Sequence, residues 1–212
     1  MSNDSKIAFW GSGTSRTLRP IWVAEELGLT YKLYPIGPRT GETRTKKYGE
    51  LNPKRKVPFC EDGGFKLSES IAICRYLINT YGNSSTLMTP QSSEELAKED
   101  EWLSYIYGEL DETSLYVMRR HQGLPEIYGE APTAVDAARN YAMRHLNVID
   151  AHLKGRSYLL AETFGLTDIF LVTCLNWAEN YGIFLSDGLR RYRDSITQRE
   201  QYKAAMIKNK KG

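Results

Sequence analysis

The stretch that decides the fold is "VPFCEDGGFKLSESIAICRYLINTYG", residues 57–82. Two short runs of strand-forming residues flank Gly63-Gly64, which is the pattern of a hairpin with a tight glycine turn. The apolar residues that follow recur at helical spacing, and Ser68 or Ser70 is available as the N-cap. The stretch therefore predicts two antiparallel strands followed by a helix.

The residues before this stretch predict a β-α-β unit. "KIAFW", residues 6–10, has the length and apolar character of a buried strand, and "YKLYPI", residues 31–36, alternates as a second strand does. Between them, residues 14–28 show helical spacing and end at Gly28, where a C-terminal glycine belongs. Pro20 leaves two alternatives open: the helix begins near Thr17, or it begins earlier and bends at the proline.

The composition changes after residue 82. Residues 83–93, "NSSTLMTPQSS", form a polar stretch typical of a linker, and the long periodic segments after it predict helices. We therefore expect an α/β plus all-α protein, with a thioredoxin-like domain over 1–82, a linker over 83–93 and an all-helical C-terminal domain over 94–212.

The net charge, the apolar runs and the residue spacing argue against nucleic acid, membrane and metal partners. The 212 residues carry a net charge of only +2, so the triplet Lys54-Arg55-Lys56 is a poor footprint for nucleic acid. No apolar run has the length of a membrane span, and the N-terminus lacks the apolar region of a secretory signal, so we expect a cytoplasmic protein with no membrane partner. The three cysteines and three histidines lack metal-binding spacing, which predicts no metal site.

Three stretches in order resemble the glutathione S-transferase family. "LNPKRKVPFCEDGGFKLSESIAICRYL", residues 51–77, is similar to the family pattern N-P-x-G-K-V-P-x-L-x-D-x-x-x-x-L-x-E-S-x-A-I-x-x-Y-L. Residues 15–29 resemble its first helix, and residues 156–171 resemble the start of its buried C-terminal helix. Two departures stand out: Arg55 replaces a glycine, and Gly165 replaces the hydroxyl residue of a capping box whose Asp168 we interpret as structural.

The resemblance implies a site for glutathione as co-substrate, with no metal. It implies that Pro58 is cis and exposes the N–H and C=O of Val57 for pairing with the cysteinyl backbone, although an ordinary trans proline is the alternative. At a helix start, Ser70 would take the γ-glutamyl carboxylate and Glu69 the ammonium, roles compatible with plain capping. Lys56 could reach the glycyl carboxylate, whereas Lys54 and Arg55 fit a cationic rim or a solvated loop equally well.

The resemblance implies that the loop between the first strand and the first helix supplies the group that stabilises the thiolate, since family members place a Tyr, Ser or Cys there. It has neither Tyr nor Cys, which disfavours a tyrosine-type or cysteine-type site and leaves a serine-type one. The candidates, in order, are Ser15, Thr14 and Ser12. Counting back from Gly28 favours Thr14, whereas the Ser15-Arg16 pair matches some bacterial-like members better. All three hydroxyls are also consistent with turn and cap roles.

The resemblance implies a homodimeric glutathione transferase that conjugates the thiolate to hydrophobic electrophiles, as in detoxification, or reduces a peroxide. The electrophile, a small molecule, would bind between the domains, against the helix that carries Tyr105, Tyr107, Tyr116 and Met118. Two alternatives stay open: a glutathione-dependent isomerase or dehalogenase, and a non-catalytic binding or assembly module on the same fold.

Overall fold

The computed structural model describes residues 6–82, 87–160 and 162–210. The chain divides into two compact units, Met1–Thr89 with Gln198–Gly212, and Pro90–Thr197. The last helix thus belongs to the first unit, whereas the sequence assigned all of 94–212 to the helical domain. Of the predicted linker, residues 83–86 lie outside the described residues, and the next helix begins at Ser93.

The first unit contains a mixed sheet of four strands in the order β2-β1-β3-β4. The strands are β1 (Ile7–Trp10), β2 (Tyr31–Tyr34), β3 (Phe59–Asp62) and β4 (Phe65–Ser68). β1 is parallel to β2 and antiparallel to β3, which forms the predicted hairpin with β4 around Gly63 and Gly64. This arrangement confirms the thioredoxin-like N-terminal domain.

The helices follow the order expected for such a domain and its helical extension. They are α1 (Ser15–Glu26), α2 (Lys46–Leu51), α3 (Ser70–Tyr81), α4 (Ser93–Tyr105), α5 (Tyr116–His121), α6 (Pro125–Tyr128), α7 (Pro132–His152), α8 (Leu166–Asn180), α9 (Asp187–Thr197) and α10 (Glu200–Lys208). A 3-10 turn, Glu42–Arg44, precedes α2, and a π-helical segment, Ile106–Leu115, joins α4 to α5. In the described residues, no helix is long and apolar enough to cross a membrane.

The start of α1 settles the alternatives that Pro20 left open. The helix begins at Ser15, earlier than Thr17, and Pro20 lies inside it. A capping box fixes this start, because the Thr14 side chain accepts the Thr17 N–H and the Thr17 side chain accepts the Thr14 N–H. Gly28 ends the helix with a positive φ of 63°, and Leu29 donates back to the Ala24 carbonyl.

Buried side chains from β1, α1 and α3 form the core of the first unit. Ile7 and Phe9 of β1 are buried, as are Trp22 of α1 and Leu77 of α3. The last helix, α10, packs along α1, and the rings of Trp22 and Tyr202 meet edge to face with centroids 4.8 Å apart. This packing places Asn209, which follows α10, beside the loop between β1 and α1.

The second unit is built around α8, which is buried along nearly its whole length, as its apolar sequence predicted. Asp168 at its start is 1% exposed and accepts the N–H groups of Gly165 and Leu159, both at 2.8 Å. The Tyr192 hydroxyl donates to the same carboxylate at 2.5 Å. Asp168 is thus a structural residue, as expected from the capping pattern.

Candidate functional site

The Val57–Pro58 peptide bond is cis, which confirms that prediction. The Lys56 carbonyl just before it accepts two hydrogen bonds, from the Tyr48 hydroxyl at 2.7 Å and from Asn52 Nδ2 at 2.9 Å. In the part of the chain that the structure describes, the Val57 N–H and C=O have no partner. A main-chain donor and acceptor are therefore available side by side for an extended ligand.

Arg55 adopts the conformation that the family's glycine would supply. Its φ is +53°, in the left-handed region that favours glycine, and its N–H donates to the Asn52 carbonyl at 2.9 Å. Its guanidinium donates to the Arg44 carbonyl. The turn before Lys56 is thus closed by hydrogen bonds although the residue is not glycine.

The start of α3 differs from the predicted cap. The N-cap position is Glu69, with φ 74° and no side-chain cap, so the expectation of Ser68 or Ser70 as N-cap is wrong. Because Glu69 makes the turn from β4 into the helix, Ser70 becomes the first helical residue. A non-glycine residue with positive φ is uncommon, and strained backbone positions of this kind cluster at functional sites.

Arg19 lies beneath this helix start and was missed in the sequence. Its side chain is fully buried (0% exposed), and its Nη1 lies 3.5 Å from the Ser70 hydroxyl oxygen. A basic residue inside the apolar stripe that contains Leu18 and Trp22 was the available signal. A buried guanidinium beside free helix N–H groups makes the start of α3 suited to a carboxylate.

The basic residues predicted to form a cationic rim differ in their partners. Lys54 Nζ lies 3.0 Å from Glu69 Oε1 in a pair with both side chains more than half exposed. The Lys56 ammonium is exposed and has no ion-pair or hydrogen-bond partner within residues 6–82, 87–160 and 162–210. Of the three basic residues, Lys56 is therefore the cation with no partner inside the described chain.

The loop that carries the three candidate hydroxyls contacts Val57. A Cβ placed on Gly11 would lie 2.7 Å from Val57 Cβ, so the loop approaches Val57 as closely as glycine permits. Gly11 also has φ +123°, which other residues rarely adopt. The sequence-predicted hydroxyls and Val57 thus lie in one region of the first unit.

The three hydroxyls differ in what surrounds them. Ser12 is 0% exposed, and its Oγ has no hydrogen-bond partner in the described residues. Thr14 is the N-cap of α1, and its Oγ1 accepts the Thr17 N–H at 3.0 Å. Ser15, the first helical residue, is partly exposed, and no other described residue bonds to its hydroxyl. Ser15 therefore presents the most available hydrogen-bond donor.

Family models match both units of the chain. The model for the glutathione S-transferase N-terminal domain matches residues 5–79, and the model for the C-terminal domain matches residues 129–204. The chain belongs to the glutathione S-transferase family. The resemblance found in the sequence is thereby confirmed.

The chain is similar to family members from animals, plants and bacteria. It is 28% identical over 163 residues to glutathione S-transferase theta-1 of Rattus norvegicus, covering 75% of this chain and 68% of the relative. It is 27% identical over 204 residues to glutathione S-transferase F4 of Arabidopsis thaliana, covering 93% and 83%. The theta-class glutathione S-transferase of Xanthomonas axonopodis, solved with glutathione bound, is 26% identical with a TM-score of 0.83, covering 96% of this chain and 98% of that one.

Cys60, Cys74 and Cys174 of this glutathione S-transferase family member are buried, and none of these three described residues forms a disulfide. Burial, with smaller contributions from nearby Asp62 and Glu61, raises the pKa of Cys60 to about 12. Burial also raises the pKa of Cys74, although the charge of Arg19 acts in the opposite direction. Neither thiol is a reactive nucleophile at neutral pH, in agreement with their interpretation as small buried residues.

The aromatic wall predicted for the electrophile lies in the second unit. Met118 is 0% exposed and belongs to the core of that unit. The Tyr105 hydroxyl lies 2.7 Å from His145 Nδ1, and the ring of Tyr116 lies under the Arg120 guanidinium. Tyr107 is partly exposed in the π-helical segment. Met118 is therefore a core residue, and the three tyrosines remain the candidates.

Proposed function

We propose that the protein binds glutathione across Val57 and the start of α3 and transfers its thiolate to a small hydrophobic electrophile. The observation that carries this proposal is the unpartnered N–H and C=O of Val57 at the cis step. An extended peptide supplies matching main-chain groups, as an added strand does. The bound glutathione of the Xanthomonas axonopodis relative supports the choice of ligand.

The two ends of glutathione match the charged groups on either side of Val57. Ser70 and its N–H would receive the γ-glutamyl carboxylate, and the buried Arg19 behind Ser70 would favour the anion through its positive charge. Glu69 would receive the ammonium in exchange for Lys54. Lys56 would pair with the glycyl carboxylate, because its ammonium has no partner in the described chain.

Ser15 would donate a hydrogen bond to the thiolate. A free thiol titrates near ~8.5, and lowering its pKa by about two units requires roughly 2.7 kcal/mol of preferential interaction with the thiolate. A hydroxyl donor together with the N-terminus of α1 can supply interactions of this size. Thr14 is committed to the helix cap and Ser12 is buried, so both would act by shaping the loop.

The active form would be a cytoplasmic homodimer, and its reaction would be conjugation, with peroxide reduction as a second use of the same thiolate. Attack on an electrophilic carbon forms the S–C bond and expels the leaving group with its electron pair. In detoxification the electrophile would be an apolar small molecule, for which the partly exposed Tyr107 is a candidate contact.

The test combines glutathione binding with turnover. Titration calorimetry should give saturable binding of glutathione, and a chlorodinitrobenzene or an organic hydroperoxide should be consumed only when glutathione is present. Ser15→Ala should bind glutathione but turn over slowly. Binding without turnover of any electrophile would contradict the transferase and favour a binding module. Turnover confined to isomerisation or dehalogenation substrates would favour those reactions instead.

A further inference from the structure

Asn209, the residue after the last helix, forms hydrogen bonds with the loop between β1 and α1 and with the first turn of α1. Asn209 follows α10 directly and is 8% exposed. Its carbonyl accepts the Gly13 N–H at 2.7 Å, its Oδ1 lies 2.7 Å from Thr17 Oγ1, and its Nδ2 lies 3.1 Å from the Thr14 carbonyl oxygen. One residue therefore bonds to three residues of the loop and the first turn of α1.

The donor and acceptor chemistry of these groups fixes the direction of each hydrogen bond. Asn209 Nδ2 only donates and its Oδ1 only accepts, so Thr14 supplies its carbonyl and Thr17 its hydroxyl hydrogen. The opposite amide orientation would set two acceptors, Oδ1 and the Thr14 carbonyl, against each other. The Thr17 hydroxyl also lies 2.9 Å from the Thr14 carbonyl oxygen, but only donation to Asn209 gives Oδ1 a hydrogen at 2.7 Å, so we assign the Thr17 hydroxyl hydrogen to Asn209.

This assignment determines what the Thr14 hydroxyl does. Thr17 Oγ1, having given its hydrogen to Asn209, accepts the Thr14 N–H at 3.1 Å and the Thr14 hydroxyl at 3.0 Å. The Thr14 hydroxyl hydrogen is then used inside the cap. Of the two partly exposed hydroxyls in the loop, only that of Ser15 keeps a hydrogen for a ligand.

Strong contacts keep α10, and with it Asn209, in place. Arg199 donates from Nε and Nη2 to the two carboxylate oxygens of Glu26, both at 2.7 Å, and the Glu26 side chain is 0% exposed. Lys208 Nζ lies 2.7 Å from Glu25 Oε1. A two-point guanidinium–carboxylate pair with a buried partner fixes geometry more firmly than an exposed single contact.

We propose that Asn209 is a positioning residue: it holds the turn from Gly13 to Thr17 so that the Ser15 hydroxyl is the one aimed at the ligand sulfur. This rests on the proposed function, in which Ser15 donates to the thiolate. Asn209 touches neither glutathione nor the electrophile in this scheme. It accepts the Thr17 hydroxyl hydrogen and donates to the Thr14 carbonyl, which leaves Thr17 Oγ1 to accept the Thr14 hydroxyl.

The test uses Asn209→Ala, which removes both side-chain bonds and keeps the carbonyl that accepts Gly13. The pKa of protein-bound glutathione, followed by its ultraviolet thiolate absorbance, should rise by about one unit, and kcat near neutral pH should fall about tenfold. The Kd for glutathione should change by less than about threefold, because its main-chain and carboxylate contacts remain. Ile207→Ala, at a position 68% exposed on the same helix, is the matched control and should change neither value.

A second variant and a second measurement separate this inference from the proposed function. Asn209→Asp has the same shape, keeps the acceptor and loses the donor to Thr14, so it tests the proposal if the alanine variant does not fold. Hydrogen exchange without ligand should become faster at the Thr14 and Thr17 amides in both variants. If wild type binds no glutathione, the proposed function fails, and faster exchange would still support the holding role of Asn209. Unchanged exchange, or unchanged thiol pKa and kcat in a glutathione-active protein, would overturn it.

Discussion

Lys54 Nζ lies 3.0 Å from Glu69 Oε1, so the carboxylate proposed to receive the glutathione ammonium already pairs with a cation of the protein. Both side chains are more than half exposed, and ion pairs in this setting contribute from zero to about 1 kcal/mol. A ligand ammonium can therefore replace Lys54 at small cost. Lys54 and Lys56 then have different roles although they are two residues apart.

Replacing Lys54 and Lys56 separately tests whether they contribute differently to glutathione binding. Lys56→Gln should raise the Kd for glutathione by about three- to tenfold, which corresponds to roughly 1 kcal/mol, because a charge contact with the glycyl carboxylate is lost. Lys54→Gln should change the Kd by less than about twofold. Titration calorimetry at two salt concentrations measures both effects. Lys154→Gln, at an exposed lysine in the turn after α7, is the charge-matched control. Equal effects of Lys54 and Lys56 would contradict the division.

Replacing Ser15 and Thr14 separately should distinguish an effect on kcat from an effect on the unfolding free energy. Ser15→Ala should lower kcat by about tenfold or more and raise the pKa of bound glutathione, since the donor to the thiolate is removed. Its unfolding free energy should change by less than about 0.5 kcal/mol, because alanine is well tolerated within a helix. Steady-state kinetics and urea unfolding measure the two quantities.

Thr14→Ala should show the opposite pattern: a clear loss of stability and a smaller fall in kcat than Ser15→Ala. Loss of the cap on the Thr17 N–H should cost about 1 kcal/mol of stability, as other N-cap replacements do. Thr14→Ser, which keeps the capping oxygen, should recover most of that loss. A larger fall in kcat for Thr14→Ala than for Ser15→Ala, recovered in Thr14→Ser, would assign the thiolate donor to Thr14 instead.

The Tyr192–Asp168 bond should contribute measurably to the stability of the second unit. Asp168 is buried and accepts three hydrogen bonds, one of them from the Tyr192 hydroxyl at 2.5 Å. Tyr192→Phe should lower the unfolding free energy by about 1.5–3 kcal/mol, the range for a hydrogen bond to a charged group. The hydroxyl of Tyr181 has no hydrogen-bond partner among the described residues, so Tyr181→Phe is the matched control and should cost less. Denaturant unfolding of both variants makes the comparison.

Tyr48 should make the fold sensitive to alkaline pH. Burial raises its pKa to about 12, partly offset by a hydrogen bond with Asn52, whereas in the unfolded chain tyrosine titrates near about 10. Between about pH 10 and pH 12 the unfolded state loses the proton that the native state keeps. The stability associated with Tyr48 is thus fully present below about pH 10 and decreases as the pH rises toward 12.

The variant Tyr48→Phe tests the predicted decrease of stability at alkaline pH. At neutral pH it should be less stable by about 0.5–1.5 kcal/mol, because the Lys56 carbonyl loses one of its two donors. Above about pH 10 its unfolding free energy should decrease less steeply than that of wild type. Urea midpoints measured across the pH range, with Tyr181→Phe as the same chemical change elsewhere, give the comparison. A steeper alkaline loss in Tyr48→Phe would refute the assignment.

Local sequence signals predicted the hairpin around Gly63-Gly64 and the helix after it, because turn residues and spacing act over a few positions. The cis bond at Pro58 was expected only through the family resemblance. The cap at α3 was predicted wrongly, because the φ of Glu69 depends on how β4 meets the helix rather than on serine propensity. Asn209 escaped prediction because its partner Thr14 lies 195 positions away along the chain.

The pairing of Arg199 with Glu26 has a consequence for how the protein is made. The strands of the first unit leave the ribosome before the whole of the second unit, whereas the helix that packs on α1 follows the second unit along the chain. The nascent chain therefore exposes the apolar surface around Trp22 until α10, which carries Tyr202, has been made. A gene fragment stopping before codon 198 would yield a first unit with that surface uncovered and prone to aggregation.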